Sequence, residues 1–359
     1  MSRSQAELFR LQARACDRLG SVVYAELLGA LADDLDAHQD VGPTADVLRG
    51  HEHDPGPSGL ALRLAGSVHR LVLSGAAPEL AGLYPTTGGA WHAEGAAAVL
   101  DFLRRRGEEV RPLLDRAPQT NEVGRAAALV GGLLRLAERW PLPVRLFEIG
   151  SSGGLNLQAD RFRFTGGASR GGAWGDPASP VVLDRAWTGA RVPTDAPLEV
   201  VERSGSDVHP VDVTTEDGRL TLTSYVWPDM AARHARLAGA ITLARSRPVS
   251  LERADAAAYV ESLHTEPSTL TVLWHSVMWQ YVPPEQQERV TARLDAVGGS
   301  TASDAPLVHL FAEPTRRTAG ASHEFWVCAR TWPASGGRVG GEREFLGRMA
   351  AHGLPVTWE

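Results

Sequence analysis

Acidic and histidine side chains that can bind a polar ligand stand at the ends of several apolar runs of this chain. Glu148 ends the run that begins at residue 144, and Asp207, Asp255 and His275 each follow or end a later run. Carboxylates accept hydrogen bonds from hydroxyl and amino groups, and histidine exchanges a proton near neutral pH. Because the carboxyl ends of parallel strands meet at one edge of a sheet, we expect these side chains to share a pocket.

A stretch of glycine and serine follows Glu148 directly. Residues 150–154 are Gly-Ser-Ser-Gly-Gly, and an apolar segment begins again at Leu155. Glycine lets the backbone turn tightly and approach a ligand closely, and the first N–H groups of a following helix are unpaired donors. The stretch predicts a ligand-binding turn between a strand and a helix that runs to Phe162, with an ordinary turn as the alternative. Asn156, at the start of that helix, is expected to reach the ligand.

The elements behind these side chains alternate between strand and helix from residue 141 onward. We predict strands at residues 144–149, 198–203, 249–253, 269–274, 306–311 and 323–330, a helix at 342–353 and a final edge strand at 354–358. This alternation is typical of an α/β fold with a doubly wound parallel sheet. Residues 164–197 are rich in Gly, Pro and Trp, and we expect an insertion with a hairpin there.

The first part of the chain has a different pattern. Over residues 1–140, apolar side chains recur at helical spacing without the alternation of a strand. We therefore predict two domains, an all-helical N-terminal domain over 1–140 and a sheet domain over 141–359. The helical domain is expected to supply substrate contacts, or alternatively to serve homodimer formation or stability.

Composition limits the classes of partner. The chain has 359 residues and a formal net charge of −7 without a basic tract, so nucleic acid is not a favoured partner. Its two cysteines form no CxxC pair, which fits a reducing cytoplasm and supports neither a disulfide framework nor a zinc site.

The N-terminal segment predicts a polar helix rather than a signal sequence, and no apolar run approaches the ~20 residues of a membrane span. Residues 51–54 are predicted to be a solvated loop rather than metal ligands.

Residues 148–154 resemble the first motif of class I S-adenosylmethionine-dependent methyltransferases, an acid followed by Gly-x-Gly-x-Gly. The match covers Glu148, Gly150 and Gly154, whereas Ser152 stands where that family usually has glycine. Residues 205–210 look like the second motif, whose acid holds the ribose hydroxyls, which implies Asp207 as the ribose ligand. Asp207 lies well beyond the ~20 residues that a compact βαβ unit gives, so Asp184 is the alternative.

The resemblance to these methyltransferases also covers the residues beside the adenine of the cofactor, and it implies a reaction. Residues 254–256 are similar to the element beside the adenine, where Asp accepts from the exocyclic amine. The implied protein is an S-adenosylmethionine-binding methyltransferase of Rossmann-like fold that acts on a small molecule. The implied cofactor-binding residues are Glu148, Gly150, Ser151, Ser152, Gly154, Asn156, Asp207, Asp255, Ala256 and His275.

Three residues are the candidates for catalysis. His275 is expected to act as a base towards an oxygen or nitrogen acceptor. Tyr225 is expected to wall the acceptor pocket, and Asp229 to hold a cationic acceptor. Two alternatives remain: a non-catalytic binding or assembly protein on the same fold, and a nicotinamide-dependent oxidoreductase, although the glycine order fits the latter poorly.

Other segments resemble a second family over the whole chain. Residues 225–229, 274–281 and 352–358 are similar to an uncharacterised bacterial family, domain of unknown function 2332. That resemblance implies membership without implying an activity.

Overall fold

The structure is a computed structural model that describes residues 4–38, 41–54, 56–116, 118–166, 172–333 and 339–359. It divides into two compact units. One contains residues 1–120 and 215–234, and the other contains residues 121–214 and 235–359. The predicted boundary near residue 140 remains a prediction.

The described part of the first unit is built from helices. In chain order the α-helices of the protein are α1 Gln5–Arg18, α2 Val22–His38, α3 Pro43–Val47, α4 Leu60–Leu73, α5 Gly95–Val110, α6 Ala126–Arg139, α7 Glu216–Ser224, α8 Ala231–Ser246, α9 Ala256–Val260 and α10 Pro284–Gly299. α1 to α5 and α7 belong to the first unit. α1 begins at a capping box, in which Ser4 accepts from the Glu7 N–H and the Glu7 side chain accepts from the Ser4 N–H, satisfying two end donors.

The second unit carries one large sheet. Its strands are β1 Val144–Ile149, β2 Arg163–Gly166, β3 Val182–Gly189, β4 Val200–Asp207, β5 Ser250–Arg253, β6 Leu270–Ser276, β7 Leu307–Thr315, β8 Glu324–Trp332, β9 Arg343–Met349 and β10 Val356–Trp358. They lie in the order β2-β3-β10-β9-β8-β7-β6-β1-β4-β5. The neighbours from β5 to β7 are parallel, as are β10–β3 and β3–β2, whereas β7–β8, β8–β9 and β9–β10 are antiparallel. The protein is thus a mixed α/β protein with a large, mostly parallel sheet.

Helices cover this sheet on both faces. On one face, Gly131 and Gly132 of α6 lie against the sheet, and a Cβ at Gly132 would be 2.8 Å from a methyl carbon of Leu310. On the other face, Ile149 and Leu273 belong to one buried cluster with residues of α9 and α10. Burial on both faces explains why β6 is a continuous apolar run rather than an alternating one.

The C-terminal region differs from the sequence prediction. The helix predicted at residues 342–353 is wrong, because residues 343–349 form β9, which pairs with β8 and β10. The predicted edge strand at 354–358 is also wrong in its position, because β10 lies between β9 and β3 and Trp358 is 2% exposed. Local composition favoured a helix, but a strand is set by its cross-strand neighbours, which lie far away in sequence.

Over its described residues, the insertion contains an antiparallel bridge between Phe164 and Trp174 and a parallel pair of strands. β2 and β3 pair in parallel, whereas the strands of a hairpin are antiparallel. Part of the predicted insertion, residues 167–171, lies outside the described residues. The helix expected after the glycine stretch is a short 3-10 helix, Leu155–Arg161.

Candidate functional site

The candidate site lies at the carboxyl end of β1, where the neighbours are β4 on one side and β6 on the other. Glu148 is in register with Gly205 of β4 and Trp274 of β6. His275 is in register with Phe311 of β7. Because successive side chains of a strand point to opposite faces, Glu148 lies on the Trp274 face and His275 on the other. Glu148 and His275 thus share an edge but lie on opposite faces of the sheet.

Glu148 is a buried carboxyl group with an unusual electrostatic environment. Its side chain is 3% exposed, and its Oε2 has no hydrogen-bond partner among the described residues. Burial raises the pKa of Glu148 well above its ordinary value, and the negative charge of Asp207 raises this pKa further, while Trp274 and Arg125 lower it. Glu148 therefore keeps its proton to a higher pH than an ordinary glutamate does.

The glycine-rich turn has left-handed backbone at three positions. Gly150, Ser152 and Gly154 have φ values of +66°, +52° and +67°. The turn is tied to β4, since the Ser151 N–H and Oγ both donate to the Ser206 carbonyl, at 2.9 and 3.1 Å. The left-handed region costs an L-residue with a side chain roughly 1–2 kcal/mol. Ser152 therefore departs from glycine at a position where the backbone favours glycine.

The space beside both glycines is filled by the protein itself. A Cβ at Gly150 would lie 2.9 Å from Met278 Cγ and Cε. A Cβ at Gly154 would lie 2.9 Å from side-chain carbons of both Val249 and Leu251. Packing alone therefore explains both glycines, and the prediction that they contact a cofactor remains untested.

Asn156 lies in the 3-10 helix after the turn. It is 3% exposed, its Nδ2 donates to the Glu122 carbonyl at 3.4 Å, and its Oδ1 has no hydrogen-bond partner in the described ranges. The Leu155 N–H, predicted to face a ligand, donates instead to Asn121 Oδ1 at 3.0 Å. Asn121 and Glu122 were missed by sequence reasoning, since nothing in their local pattern links them to a turn 34 residues away.

The two acids expected at the ribose and the adenine both bind backbone donors. Asp207 accepts from the Ser152 N–H at 2.9 Å and from the His209 N–H at 2.8 Å. Asp255 is the N-cap of α9 and accepts from the Ala258 N–H at 2.8 Å, and the buried Ala256 is the first residue of that helix. Carboxylate oxygens have further lone pairs, so these contacts leave both acids able to accept from a ligand.

Asp184, the alternative ribose ligand, is not at this edge. It lies on β3, six strand positions from β1. At a spacing of ~4.8 Å between strands this places it roughly 29 Å away. Its carboxylate accepts from Thr165 Oγ1 at 2.5 Å.

His275 belongs to a buried network with one acid and a second histidine. Its Nδ1 lies 2.8 Å from Glu313 Oε1 and its Nε2 lies 2.9 Å from His309 Nε2. The imidazole stacks between the rings of Trp279 and Phe311, at centroid distances of 4.9 and 5.4 Å. His275 itself is 2% exposed. Because both ring nitrogens are engaged, His275 can meet a ligand only by giving up one of these contacts.

The surroundings of the network define its proton positions. Burial lowers the pKa of His309 well below its ordinary value, and His275 and nearby arginines lower this pKa further, so His309 is neutral. The Glu313 carboxylate favours a proton on His275 Nδ1, which leaves Nε2 to accept from the His309 Nε2–H. Within the described ranges, Glu313 Oε2 and His309 Nδ1 have no hydrogen-bond partner. Sequence reasoning missed His309, although the alternation of His309, Phe311 and Glu313 along one strand is a signal that three polar or aromatic side chains share a face.

The loop after β6 is strained. Val277 has a φ of +50°, a conformation that is a genuine outlier for a β-branched residue. Such positions cost of order 1–3 kcal/mol and persist only when the surroundings fix them. Here Glu313 Oε1 accepts from the Met278 and Trp279 N–H groups at 3.0 and 3.3 Å, and the Val277 N–H donates to the Ala312 carbonyl.

Tyr225 and Asp229 belong to the first unit, whereas the other predicted site residues belong to the second. Tyr225 ends α7, and a Cβ at Gly66 would lie 2.8 Å from its ring. Asp229 accepts from Ser21 Oγ at 2.6 Å and from the Val23 N–H at 3.1 Å, and so satisfies donors at the start of α2. These contacts are structural, and the catalytic roles of both residues stay predictions.

Metal ligation has no support within the described part of the chain, where no group of three or more His, Cys, Asp or Glu side chains is suited to hold a metal ion. His51, in the loop predicted to be solvated, lies 3.1 Å from Asp54, which also accepts from Arg63 at 2.6 Å. Cys16 and Cys328 are buried free thiols. Among the described helices, none combines the length and apolar character needed to cross a bilayer.

The fold and the site together define a mixed α/β protein with buried carboxyl groups and a histidine pair at one edge of its sheet. Family comparison agrees with the whole-chain resemblance. A family model described as an uncharacterized protein conserved in bacteria (DUF2332) matches residues 6–358, and the chain belongs to this family. Comparison with the curated proteins gave no match, and neither did comparison with the solved structures.

Proposed function

We propose that this protein binds S-adenosylmethionine at the carboxyl edge of β1, β4 and β6 and transfers its methyl group to a small molecule. The observation that carries the proposal is the position of Glu148 and Asp207 at the ends of adjacent parallel strands. The five strands from β5 to β7 have the order third, second, first, fourth, fifth along the chain. That is the order of doubly wound sheets, which bind nucleotide-like ligands where the strand order reverses, here between β1 and β6.

The hydrogen-bond acceptors at this edge suit this cofactor. S-adenosylmethionine carries an ammonium and a sulfonium cation, and the edge provides Glu148 and Asp207 as acceptors. Glu148 would accept hydrogen bonds from the ammonium group. Asp207 would accept from the ribose hydroxyls, and Asn156 Oδ1, buried and without a partner in the described ranges, would accept a further donor.

The chemistry asked of the protein is modest. The sulfonium supplies an electrophilic methyl group, so the protein needs to orient an acceptor, exclude water and take a proton. His275 is the proposed base, with Glu313 fixing its tautomer and His309 beside its second nitrogen. Burial of the network keeps water away from it.

The proposal is tested by titration calorimetry with S-adenosylmethionine and S-adenosylhomocysteine, with NAD as the comparison ligand. Asp207→Asn removes the charge and keeps one of the two oxygens that accept from the Ser152 and His209 N–H groups, and we expect about a tenfold or greater loss of affinity. Asp184→Asn is the matched control, since it removes a carboxylate from the distant β3 and should leave affinity unchanged. Absence of binding by the wild-type protein, or equal affinity in Asp207→Asn, would reject the proposal.

A second candidate is a non-catalytic binding or assembly protein on the same fold. The observation that favours it is that the predicted ligand residues already have structural partners: Asp207 and Asp255 bind backbone N–H groups, and Met278 fills the space beside Gly150. Cofactor binding without methyl transfer from isotopically labelled S-adenosylmethionine to a broad acceptor panel would support this candidate. Transfer to any member of the panel would exclude it.

A further inference from the structure

The loop after β6 connects the buried network to the glycine turn. Residues 277–281, called here the β6 latch, follow the carboxyl end of β6 directly. The latch begins with the left-handed Val277 and presents Met278 to Gly150. The latch is therefore both strained and placed where it can affect a ligand that binds at Gly150.

Several contacts fix the latch in its strained form. The Glu313 carboxylate accepts from two consecutive latch N–H groups, those of Met278 and Trp279, and from His275 Nδ1 through the same oxygen. Gln287 of α10 donates to the Trp279 and Val282 carbonyls, both at 2.9 Å. A backbone conformation that is unfavourable by itself is thus maintained by contacts from β7 and α10, as expected of a strained functional loop.

The consequence of this arrangement is that Met278 covers the first glycine of the turn. A Cβ at Gly150 would lie 2.9 Å from Met278 Cγ and Cε and 3.1 Å from its Cβ. No ligand atom can approach the Gly150 backbone from that side while Met278 is there. Methionine is flexible and unbranched, so it can leave this place at a low packing cost.

We propose that the β6 latch is an autoinhibitory device, in which the form held by Glu313 keeps Met278 over Gly150 and a ligand must displace it. Release relieves the strain at Val277, which offsets part of the cost of breaking the Glu313 contacts. The affinity of the carboxyl edge for its ligand therefore depends on the fraction of molecules in which the latch is released. The identity of the ligand rests on the proposed function, whereas the latch itself is defined by the protein's own contacts.

The first test compares the affinity for S-adenosylhomocysteine across latch variants. Met278→Ala removes the obstructing side chain and should tighten binding by about fivefold, whereas the matched control Met278→Leu keeps a side chain of similar volume and should not. Val277→Gly removes the strain from the held form and should weaken binding by about tenfold. Val277→Ala, which keeps most of the left-handed cost, should show a smaller loss.

Thermal unfolding distinguishes a change in the latch equilibrium from misfolding of the variant. Val277→Gly should raise the unfolding midpoint while it weakens binding, a pair of opposite changes that a misfolded variant does not produce. Equal affinity in Met278→Ala and Met278→Leu, or tighter binding in Val277→Gly, would overturn the latch.

A second measurement does not depend on the ligand. Hydrogen exchange of the Met278 and Trp279 amides should accelerate by about tenfold in Glu313→Gln, because a neutral amide is a weaker acceptor than a carboxylate. If neither the wild-type protein nor any variant binds S-adenosylmethionine or S-adenosylhomocysteine, the proposed function fails. The hydrogen exchange of the Met278 and Trp279 amides then tests the latch without a ligand. Unchanged protection of both amides in Glu313→Gln would then refute it.

Discussion

At the scale of single residues, Glu148 and Ser152 are two positions of the candidate site that are energetically unfavourable in the folded protein. Glu148 places a carboxyl group in a buried position beside the negative charge of Asp207. Ser152 places a side chain on left-handed backbone. Both cost folding free energy, and residues of this kind concentrate where a protein binds or reacts. Each gives a prediction that needs no knowledge of the ligand.

Glu148→Gln should change how stability depends on pH. Because the folded-state pKa of Glu148 is raised, the folded protein keeps a proton that the unfolded chain loses above about pH 4.3. The wild-type protein should therefore lose about 1.4 kcal/mol of stability per pH unit above that point, up to the folded-state pKa. The variant lacks this loss, so its stability relative to wild type should rise with pH above about pH 4.3.

Urea unfolding at several pH values measures this difference. The exposed Glu342→Gln is the control for removal of one charge. A difference between Glu148→Gln and wild type that is the same at every pH would contradict the raised pKa.

Ser152 is tested by a pair of substitutions that both remove the hydroxyl group. Ser152→Gly should be more stable than Ser152→Ala by about 1 kcal/mol, because glycine adopts left-handed backbone without the steric cost of a Cβ. At a position with ordinary backbone the order is reversed, since alanine restricts the unfolded chain. Chemical denaturation of both variants checks the order, and a more stable Ser152→Ala would show that the backbone at this position is not left-handed.

At the scale of elements, α6 shows how closely a helix is packed on the sheet that carries the site. A Cβ at Gly131 would lie 2.3 Å from Trp358 Cζ2 and 2.9 Å from Trp187 Nε1. The Trp187 Nε1–H donates to the Ala127 carbonyl at 2.8 Å, so this ring is fixed to the same helix. The glycine is therefore required by the close contact of α6 with two rings of β3 and β10.

Gly131→Ala should destabilise the second unit by about 1–3 kcal/mol, because large buried rings must shift to accept the methyl group. Gly29→Ala in α2 is the matched control, since a Cβ there meets no atom within 4 Å. The control should gain about 1 kcal/mol from the better helix propensity of alanine. Hydrogen exchange reports on each unit separately, and a stabilising effect of Gly131→Ala would contradict the packing of α6.

At the scale of the whole molecule, the sequence predicted elements better than it predicted their arrangement. The strand at residues 144–149 is confirmed as β1, and the runs near 200, 250, 270, 307 and 324 are confirmed as strands. The helix at 342–353 and the edge position of 354–358 were wrong. The methyltransferase class, the cofactor and the site residues stay predictions, because they depend on a ligand that no local pattern identifies.

The candidate site shows the same division between residues and arrangement. The acids at the ends of β1 and β4 were recognised from the sequence because an apolar run that ends in an acid is a local signal. The contacts of Asn121, His309 and Met278 were not recognised, because each joins segments that are far apart in the chain. The resemblance implied Asp207 as the ribose ligand with Asp184 as the alternative, and the strand order places Asp184 six strand positions from β1.

The sequence by itself determined that strands lie near residues 144, 200, 250, 270, 307 and 324, because apolar runs bounded by glycine, proline and acids are local consequences of burial. Only the tertiary structure decided the order of the strands, the faces on which Glu148 and His275 lie, and the place of Met278 beside Gly150. The physical reason is that pairing and packing are interactions between segments distant in sequence, whose free energies depend on partners that no local pattern specifies.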